Sequence, residues 1–161
     1  DALLLLVSHN ISGAPVIDQG MVLGILTRTD ILRSDLVEKL DIPVSSIMRE
    51  PVQVTPDHSS VHVVDLIKKG AEAVIVVDDG GAIGIFTESD LAFYEDLPES
   101  AESGTAAGMM RQMIPSLPET AKTREAVTVM LQAACQSVII TGMNGIKGII
   151  TRDDIIREVA Q

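Results

Sequence analysis

Three aspartates stand in the same short setting, and their chemistry is the first thing the sequence offers. Asp30, Asp90 and Asp154 each follow a Gly, two apolar residues, a Thr and two variable residues, and each precedes Ile or Leu. The copies read Gly24-Ile25-Leu26-Thr27-Arg28-Thr29-Asp30-Ile31, Gly84-Ile85-Phe86-Thr87-Glu88-Ser89-Asp90-Leu91 and Gly148-Ile149-Ile150-Thr151-Arg152-Asp153-Asp154-Ile155. An ionised carboxylate only accepts hydrogen bonds, so it suits a vicinal diol or the free N–H groups that open a helix. Each cassette runs from an apolar strand into a helix, and the spacing predicts that the Asp is the helix N-cap. Other chemistry lacks its residues. His9, His58 and His62 have no metal-ligand spacing; His58 and His62 share a helix face but have no third ligand near them. Asp78-Asp79-Gly80-Gly81 is hairpin chemistry without the later ligands of a calcium loop. No Gly-rich phosphate loop and no nucleophile paired with a base is present, so neither a catalytic nor a metal site is expected.

The elements that must position these groups recur as well. The three cassette glycines lie 60 and 64 residues apart, long enough for a small αβ unit. Residues 1–10 read as a helix with Leu3, Leu6, Val7 and Asn10 on one face, broken by Ser12-Gly13. Strands Ala14–Ile17 and Met21–Leu26 follow around the turn Asp18-Gln19-Gly20, and Asp30 opens a helix to about Leu40. The second copy adds an opening strand, Val52-Gln53-Val54. A helix over 60–69, strands 73–77 and 82–86 and a closing helix from Asp90 follow it. Residues 109–118 lie over 47–56 without a gap, so Met48-Arg49 matches Met110-Arg111. A helix over 123–134, strands 137–141 and 146–150 about Asn144-Gly145, and a helix over 154–159 complete the third copy. The fold class is α+β, a repeated βαββα unit occupying 1–40 (opening strand missing), 41–97 and 106–161. Residues 95–108, rich in Glu, Ser, Pro and Gly, read as a flexible linker.

Composition excludes several partners. A formal charge of −11 and only three Phe and Tyr residues leave neither the basic patch nor the stacking platform of a nucleic-acid binder. No apolar run approaches membrane-spanning length, so direct membrane insertion is not expected. One cysteine, Cys135, allows no internal disulfide, fits a reducing cytoplasmic setting, and reads as buried and inert.

The repeated unit resembles the CBS domain (cystathionine-β-synthase-type repeats, paired as Bateman modules), and the resemblance covers nearly the whole chain. It is carried by Ile47-Met48 with Val52-Gln53-Val54-Thr55-Pro56-Asp57, by Met109-Met110 with Leu117-Pro118, by Ile11–Asp18 and its counterpart Ala73–Asp78, and by the three cassettes. The resemblance implies units paired through their sheets about pseudo-twofold axes. It implies clefts that hold an adenosine-containing ligand such as AMP, ADP, ATP or S-adenosylmethionine, with no obligatory cofactor. Such modules regulate an attached enzyme, channel or transporter and catalyse nothing. By the same match Asp30, Asp90 and Asp154 are ribose ligands, and Thr27, Thr87 and Thr151 stand near ribose and phosphate. Ile25, Ile85 and Ile149 pack on sugar or base, while Thr55 and Leu117 touch the base. Where phosphate binders of the family often carry Arg, His or Ser before the second strand, this chain holds Ser12-Gly13, Glu72-Ala73 and Gln136-Ser137, so Glu72 would repel a phosphate and Ser12 and Ser137 are only neutral donors. With Arg28 and Arg152 expected on the solvated surface, the clefts read as poor in positive charge. That favours a weakly charged adenosine ligand, a cation-bridged nucleotide or an empty site. The competing reading is a ligand-free dimerisation module. Three repeats leave one without a complete partner, and a homodimer is the expected relief.

Overall fold

The computed structural model describes residues 2–9, 11–79, 81–92, 94, 104–112 and 114–161. Its α+β architecture repeats one pattern. The first copy comprises α1 (Ala2–Ser8), the hairpin β1 (Gly13–Asp18) and β2 (Met21–Thr27), then α2 (Arg28–Leu32) and α3 (Asp35–Glu38). The second comprises β3 (Val52–Val54), α4 (Ser60–Lys68), β4 (Ala73–Asp78), β5 (Gly81–Thr87) and α5 (Glu88–Leu91). After α6 (Ala106–Met109), the third comprises β6 (Ser116–Pro118), α7 (Thr123–Gln132), β7 (Ser137–Gly142), β8 (Gly145–Thr151) and α8 (Arg152–Val159). In both complete copies the opening strand lies beside the first hairpin strand, giving orders β3-β4-β5 and β6-β7-β8, with β3–β4 and β6–β7 parallel. The first copy keeps only β1-β2.

Hairpin registers in the first two copies coincide. Gly13 faces Thr27 and Pro15 faces Ile25, as Ala73 faces Thr87 and Ile75 faces Ile85. A one-residue shift falls after Val16 in one and after Val76 in the other. Their burial differs sharply. β4 and β5 are buried over most of their length, whereas Val16, Ile17, Met21, Val22, Leu23 and Ile25 are all exposed.

The chain divides into two compact units. One holds residues 1–49, 115–141 and 148–161, so it groups the first copy with most of the third. Its core joins Leu6 of α1 and Ile31, Leu32 and Val37 of α2 and α3 with Val127, Met130, Ile150, Ile155 and Ile156. The helix face of Leu3, Leu6 and Val7 packs against that core. The other unit holds 50–114 and 142–147, with a core of Val54, Val63, Ile67, Val74, Val76, Phe86, Ala106 and Met109.

Several boundaries depart from expectation for local reasons. The helix expected from Asp30 to Leu40 starts earlier and breaks at Arg33-Ser34, where the Ser34 hydroxyl donates to Ile31 O at 2.6 Å and competes with the helix ladder. Residues 95–103 of the expected linker, and Asn10 of the α1 face, lie outside the described residues. The linker's last residues are not loose: Ser60 N–H donates to Gly104 O at 2.8 Å and Ala106 N–H to His58 O at 2.7 Å, and α6 begins there. Cys135 is only partly buried.

Candidate functional site

Each cassette closes as a capping box, and Thr rather than Asp is the N-cap. Thr27, Thr87 and Thr151 have extended backbones immediately before the first helical residue, which places Asp30, Asp90 and Asp154 at the third helical position. The expected order is thus reversed. A Thr cap offers its oxygen to the helix while an acid three residues on reaches back to the Thr N–H, satisfying two otherwise free donors together. Thr27 N–H and hydroxyl donate to Asp30 Oδ2 at 2.8 and 2.6 Å. The matching pairs measure 2.8 and 2.7 Å at Thr87–Asp90, and 2.8 and 2.8 Å at Thr151–Asp154. These bonds hold the Asp30 carboxyl below the usual carboxylate range, the Thr27 hydroxyl being the largest cause and its N–H the next.

Two arginines complete two of the three sites, and the sequence reading missed their role. Arg49 places Nε 2.8 Å from Asp154 Oδ1 and Nη2 3.2 Å from Oδ2, a two-pronged guanidinium–carboxylate pair. Arg157 adds a contact to Oδ1 at 3.3 Å, and Arg49 Nη2 also reaches Thr151 Oγ1 at 3.5 Å. In the other compact unit Arg111 Nε stands 3.0 and 3.2 Å from the two oxygens of Asp90, and its Nη2 donates to Thr87 Oγ1 at 3.2 Å. Among the described residues Asp30 has no ion pair of this kind.

Backbone geometry sets these arginines in place. Arg49 N–H donates to Ile149 O at 2.9 Å and Arg49 O accepts from Ile149 N–H at 3.0 Å; Arg111 N–H donates to Ile85 O at 2.8 Å and Arg111 O accepts from Ile85 N–H at 2.9 Å. The residues leading into the second repeat thereby pair antiparallel with β8, and those leading into the third pair with β5. The preceding methionines lie on the cassette glycines. A Cβ on Gly148 would stand 2.7 Å from Met48 Sδ, and one on Gly84 would fall inside the Met110 side chain. Only glycine leaves room for these crossings. Sequence alignment matched Met48-Arg49 to Met110-Arg111; the signal that could have found their partners is the bare glycine at the head of each cassette.

The residues expected to hold a ligand therefore differ among copies. Ile85 and Ile149 are 4% and 5% exposed beneath these segments, whereas Ile25 is 68% exposed. Leu117 sits in β6 against the core of its unit. Thr55 follows β3, level with the Val77 end of β4, while Thr87 faces Ala73 at the other end, about 13 Å along the strands. Thr55 and its own cassette are thus not brought together. Its hydroxyl instead donates to Asp57, and its N–H donates to His58 Nδ1 at 3.1 Å. Arg28 and Arg152 are not the solvated arginines the sequence suggested. Arg28 Nη1 meets Asp153 at 2.6 Å and its Nε donates to Ile11 O at 3.0 Å, while Arg152 Nη1 reaches Thr29 Oγ1 at 3.5 Å. These reciprocal contacts join α2 to α8. Nor are the cassettes poor in positive charge, since Arg49 and Arg111 sit directly on two of them. The open groove lined by Leu32, Val37, Arg124, Val127 and Leu131 contains no cassette residue.

Fold and site together define a protein of repeated βαββα units, each closing a strand with a Thr–Asp capping box. The chain belongs to the CBS domain family, whose profile matches residues 1–36, 44–96 and 106–161. It is 34% identical over 99 residues to an Escherichia coli arabinose 5-phosphate isomerase, KpsF, covering 60% of this chain and 31% of the relative. It spans about a third of that protein's length. It is 23% identical over 176 residues to the uncharacterized protein MJ1225 of Methanocaldococcus jannaschii, covering 99% of this chain and 63% of that one. The crystal structure of MJ1225, described as a candidate archaeal homolog of g-AMPK, superposes with a TM-score of 0.76 at 20% identity, over 98% of this chain and 62% of that chain. The CBS domain of a bacterial CNNM/CorC family Mg2+ transporter, solved in complex with ATP, superposes with a TM-score of 0.64 at 19% identity, over 83% of this chain and 95% of that chain. No described helix is long and apolar enough to cross a membrane.

Proposed function

We propose that this chain is a non-catalytic regulatory module that binds an adenosine-containing ligand at its cassettes and biases an attached or associated enzyme or transporter. The carrying observation is the arginine held on Asp90 and on Asp154 by backbone pairing. A carboxylate beside a guanidinium can divide between two parts of one ligand: the ribose diol donates to the carboxylate while the guanidinium turns to a phosphate. Such an exchange keeps every charge paired, which a neutral adenosine could not do. It therefore favours AMP, ADP or ATP over an uncharged nucleoside, with S-adenosylmethionine, whose carboxylate could accept the arginine, as the alternative. The similarity to a CBS domain solved with ATP and to part of a longer isomerase supports the same reading. A cytoplasmic setting, where such nucleotides are abundant, is part of the proposal.

Coupling to a partner would be a population shift. Arg49 and Arg111 belong to the segments that lead into the next repeat, so a ligand that draws them off the carboxylates also changes how those segments pair. It can do so only by as much as it prefers the rearranged state. The test is a thermal-shift and calorimetric screen of adenosine, AMP, ADP, ATP and S-adenosylmethionine, with and without magnesium. A ligand at a hundredfold excess over its Kd should stabilise by about 2.7 kcal/mol. Arg49→Ala and Arg111→Ala should weaken nucleotide binding more than adenosine binding. Silence across the whole panel would leave the second reading, a ligand-free assembly module. The specific observation favouring that one is the exposed apolar face of β1–β2, through which a homodimer is the simplest arrangement, to be checked by light scattering.

A further inference from the structure

Two methionines sit where a small change at sulfur would reach the cassettes. Met48 Sδ is the atom nearest a Cβ built on Gly148, at 2.7 Å, and Met110 Sδ is the nearest to one built on Gly84. Each thioether thus crosses a bare glycine, with its side chain packed against the core of its own unit, yet both residues stay partly open to solvent. The other described methionines lie at the extremes. Met21 and Met143 are 65% and 100% exposed, whereas Met109 and Met130 are 6% and 2% exposed. The residue after Met48 is the arginine on Asp154, and the residue after Met110 is the arginine on Asp90. Each of these segments meets its cassette strand through one isolated bridge, Arg49 with Ile149 and Arg111 with Ile85. So few backbone bonds leave the thioether contact and the ion pair to hold the segment down.

We infer that Met48 and Met110 are oxidation sites through which a peroxide loosens the two arginines from their aspartates. The thioether sulfur attacks the O–O bond, keeps one oxygen as S=O and is oxidised by two electrons. The other oxygen is reduced and leaves as water when the oxidant is hydrogen peroxide. The sulfoxide is polar, chiral and one atom larger at the point where side chain and glycine are in closest contact. Overfilling a packed contact forces the side chain outward, and the S=O dipole costs free energy until it reaches water. Both effects lift the segment off the strand, and the adjoining guanidinium goes with it. Met21 and Met143 are oxidised as well, but they lie open and their change disturbs little packing. Met109 and Met130 are shielded until their units open. A methionine sulfoxide reductase reverses the step: two thiols become a disulfide, and the oxygen leaves as water. The assignment stands whatever ligand the cassettes take.

The experiment treats the protein with hydrogen peroxide, maps each methionine over time by peptide mass spectrometry, and follows amide hydrogen exchange and melting. Met21 and Met143 should oxidise first, Met48 and Met110 next, and Met109 and Met130 last. As Met48 and Met110 are converted, the amides of Arg49, Ile149, Arg111 and Ile85 should exchange about tenfold faster or more. The melting temperature should fall by about 3 °C or more. Met48→Leu combined with Met110→Leu, close in volume and without an oxidisable sulfur, should show neither change under the same treatment. Met21→Leu combined with Met143→Leu should respond as the parent does. If the Met48 and Met110 variant does not fold, reductase repair of the oxidised parent takes its place and should restore both readings. The inference is overturned if Met48 and Met110 oxidise only together with Met109 and Met130. It is equally overturned if their oxidation leaves the four amides and the melting temperature unchanged, if the variant lacking both sulfurs still responds, or if repair restores nothing.

Discussion

Replacing Arg49 by alanine tests whether the arginine is part of the cassette or merely near it. Asp154 has a side chain only 5% exposed, and its carboxylate takes Thr151 N–H, the Thr151 hydroxyl, Arg49 twice and Arg157 once. Removing one member of a fully buried pair costs about 3–5 kcal/mol, whereas exposed pairs measure about 0.2–1 kcal/mol. This pair lies between, because the Arg49 side chain is 41% exposed and Arg157 remains at 3.3 Å. Solvent reaches the vacated side and hydrates Oδ1, so we expect about 1–2 kcal/mol. At about 2–4 °C per kcal/mol for a chain of this size, the melting temperature should fall by about 2–8 °C. Arg111→Ala should cost less, about 0.5–1 kcal/mol, because Asp90 is more open at 13%. A double-mutant cycle with Asp154→Asn should return a coupling of about 1 kcal/mol, since Asn still accepts from Thr151 but cannot pair with the guanidinium. Thermal and urea unfolding in low and high salt reads all of these. A neutral Arg49→Ala, or an Arg111→Ala that costs more, would refute the assignment of Arg49 to a part-buried clamp.

Gly148→Ala and Gly84→Ala should each destabilise by about 1–3 kcal/mol through collision with Met48 and Met110, while Gly24→Ala should be neutral or slightly stabilising; parallel urea curves compare them. Leu6→Ala should cost about 2–5 kcal/mol in thermal unfolding, because Leu6 is fully buried and ties α1 into the core of its unit. Asp30 should titrate below the usual Asp value of about 3.9 in a 13C NMR pH series. With the folded value depressed, its contribution to stability is present above about pH 4 and lost as the pH falls through the lowered value; Thr27→Val should return the midpoint toward normal.

The repeat, its strands and the cassette residues were legible because period-2 apolar runs, Asn-Gly and Asp-Gly turns and a threefold Gly-Thr-Asp spacing are all local signals. The roles within the cassette were less so. Both Thr and Asp are good N-caps, and composition does not say which residue starts the helix; the backbone does, two residues earlier than expected. The partners of Arg49 and Arg111 were not legible because they lie 105 and 21 residues away in sequence. Burial was the least legible of all. Ile25 and Ile85 close strings of the same register that share their final Gly-Ile, Met-Val-Leu-Gly-Ile and Gly-Ala-Ile-Gly-Ile, yet one is exposed and the other covered. The difference comes from a segment donated from elsewhere in the chain, which no window on the strand itself contains.

That same fact bears on what the cassette is built to do. The Thr–Asp capping box is complete in all three copies, so capping alone needs no arginine, no methionine and no glycine at the head of the cassette. Asp154 Oδ2 already takes three donors and has no lone pair to spare for a diol, whereas Asp30 takes two on Oδ2 and keeps Oδ1 open. A ribose could therefore reach Asp30 directly, but at Asp154 or Asp90 it must displace a guanidinium whose main chain is paired to the strand beside it. Binding at those two sites and pairing of the lead-in segment are thus competing uses of the same carboxylate. A ligand that brings its own anion lowers the cost of the exchange, and a neutral one does not. The order of affinities across the three cassettes, read from Asp30→Asn, Asp90→Asn and Asp154→Asn, follows from that competition: adenosine should respond chiefly to the Asp30 change, and nucleotide to the other two.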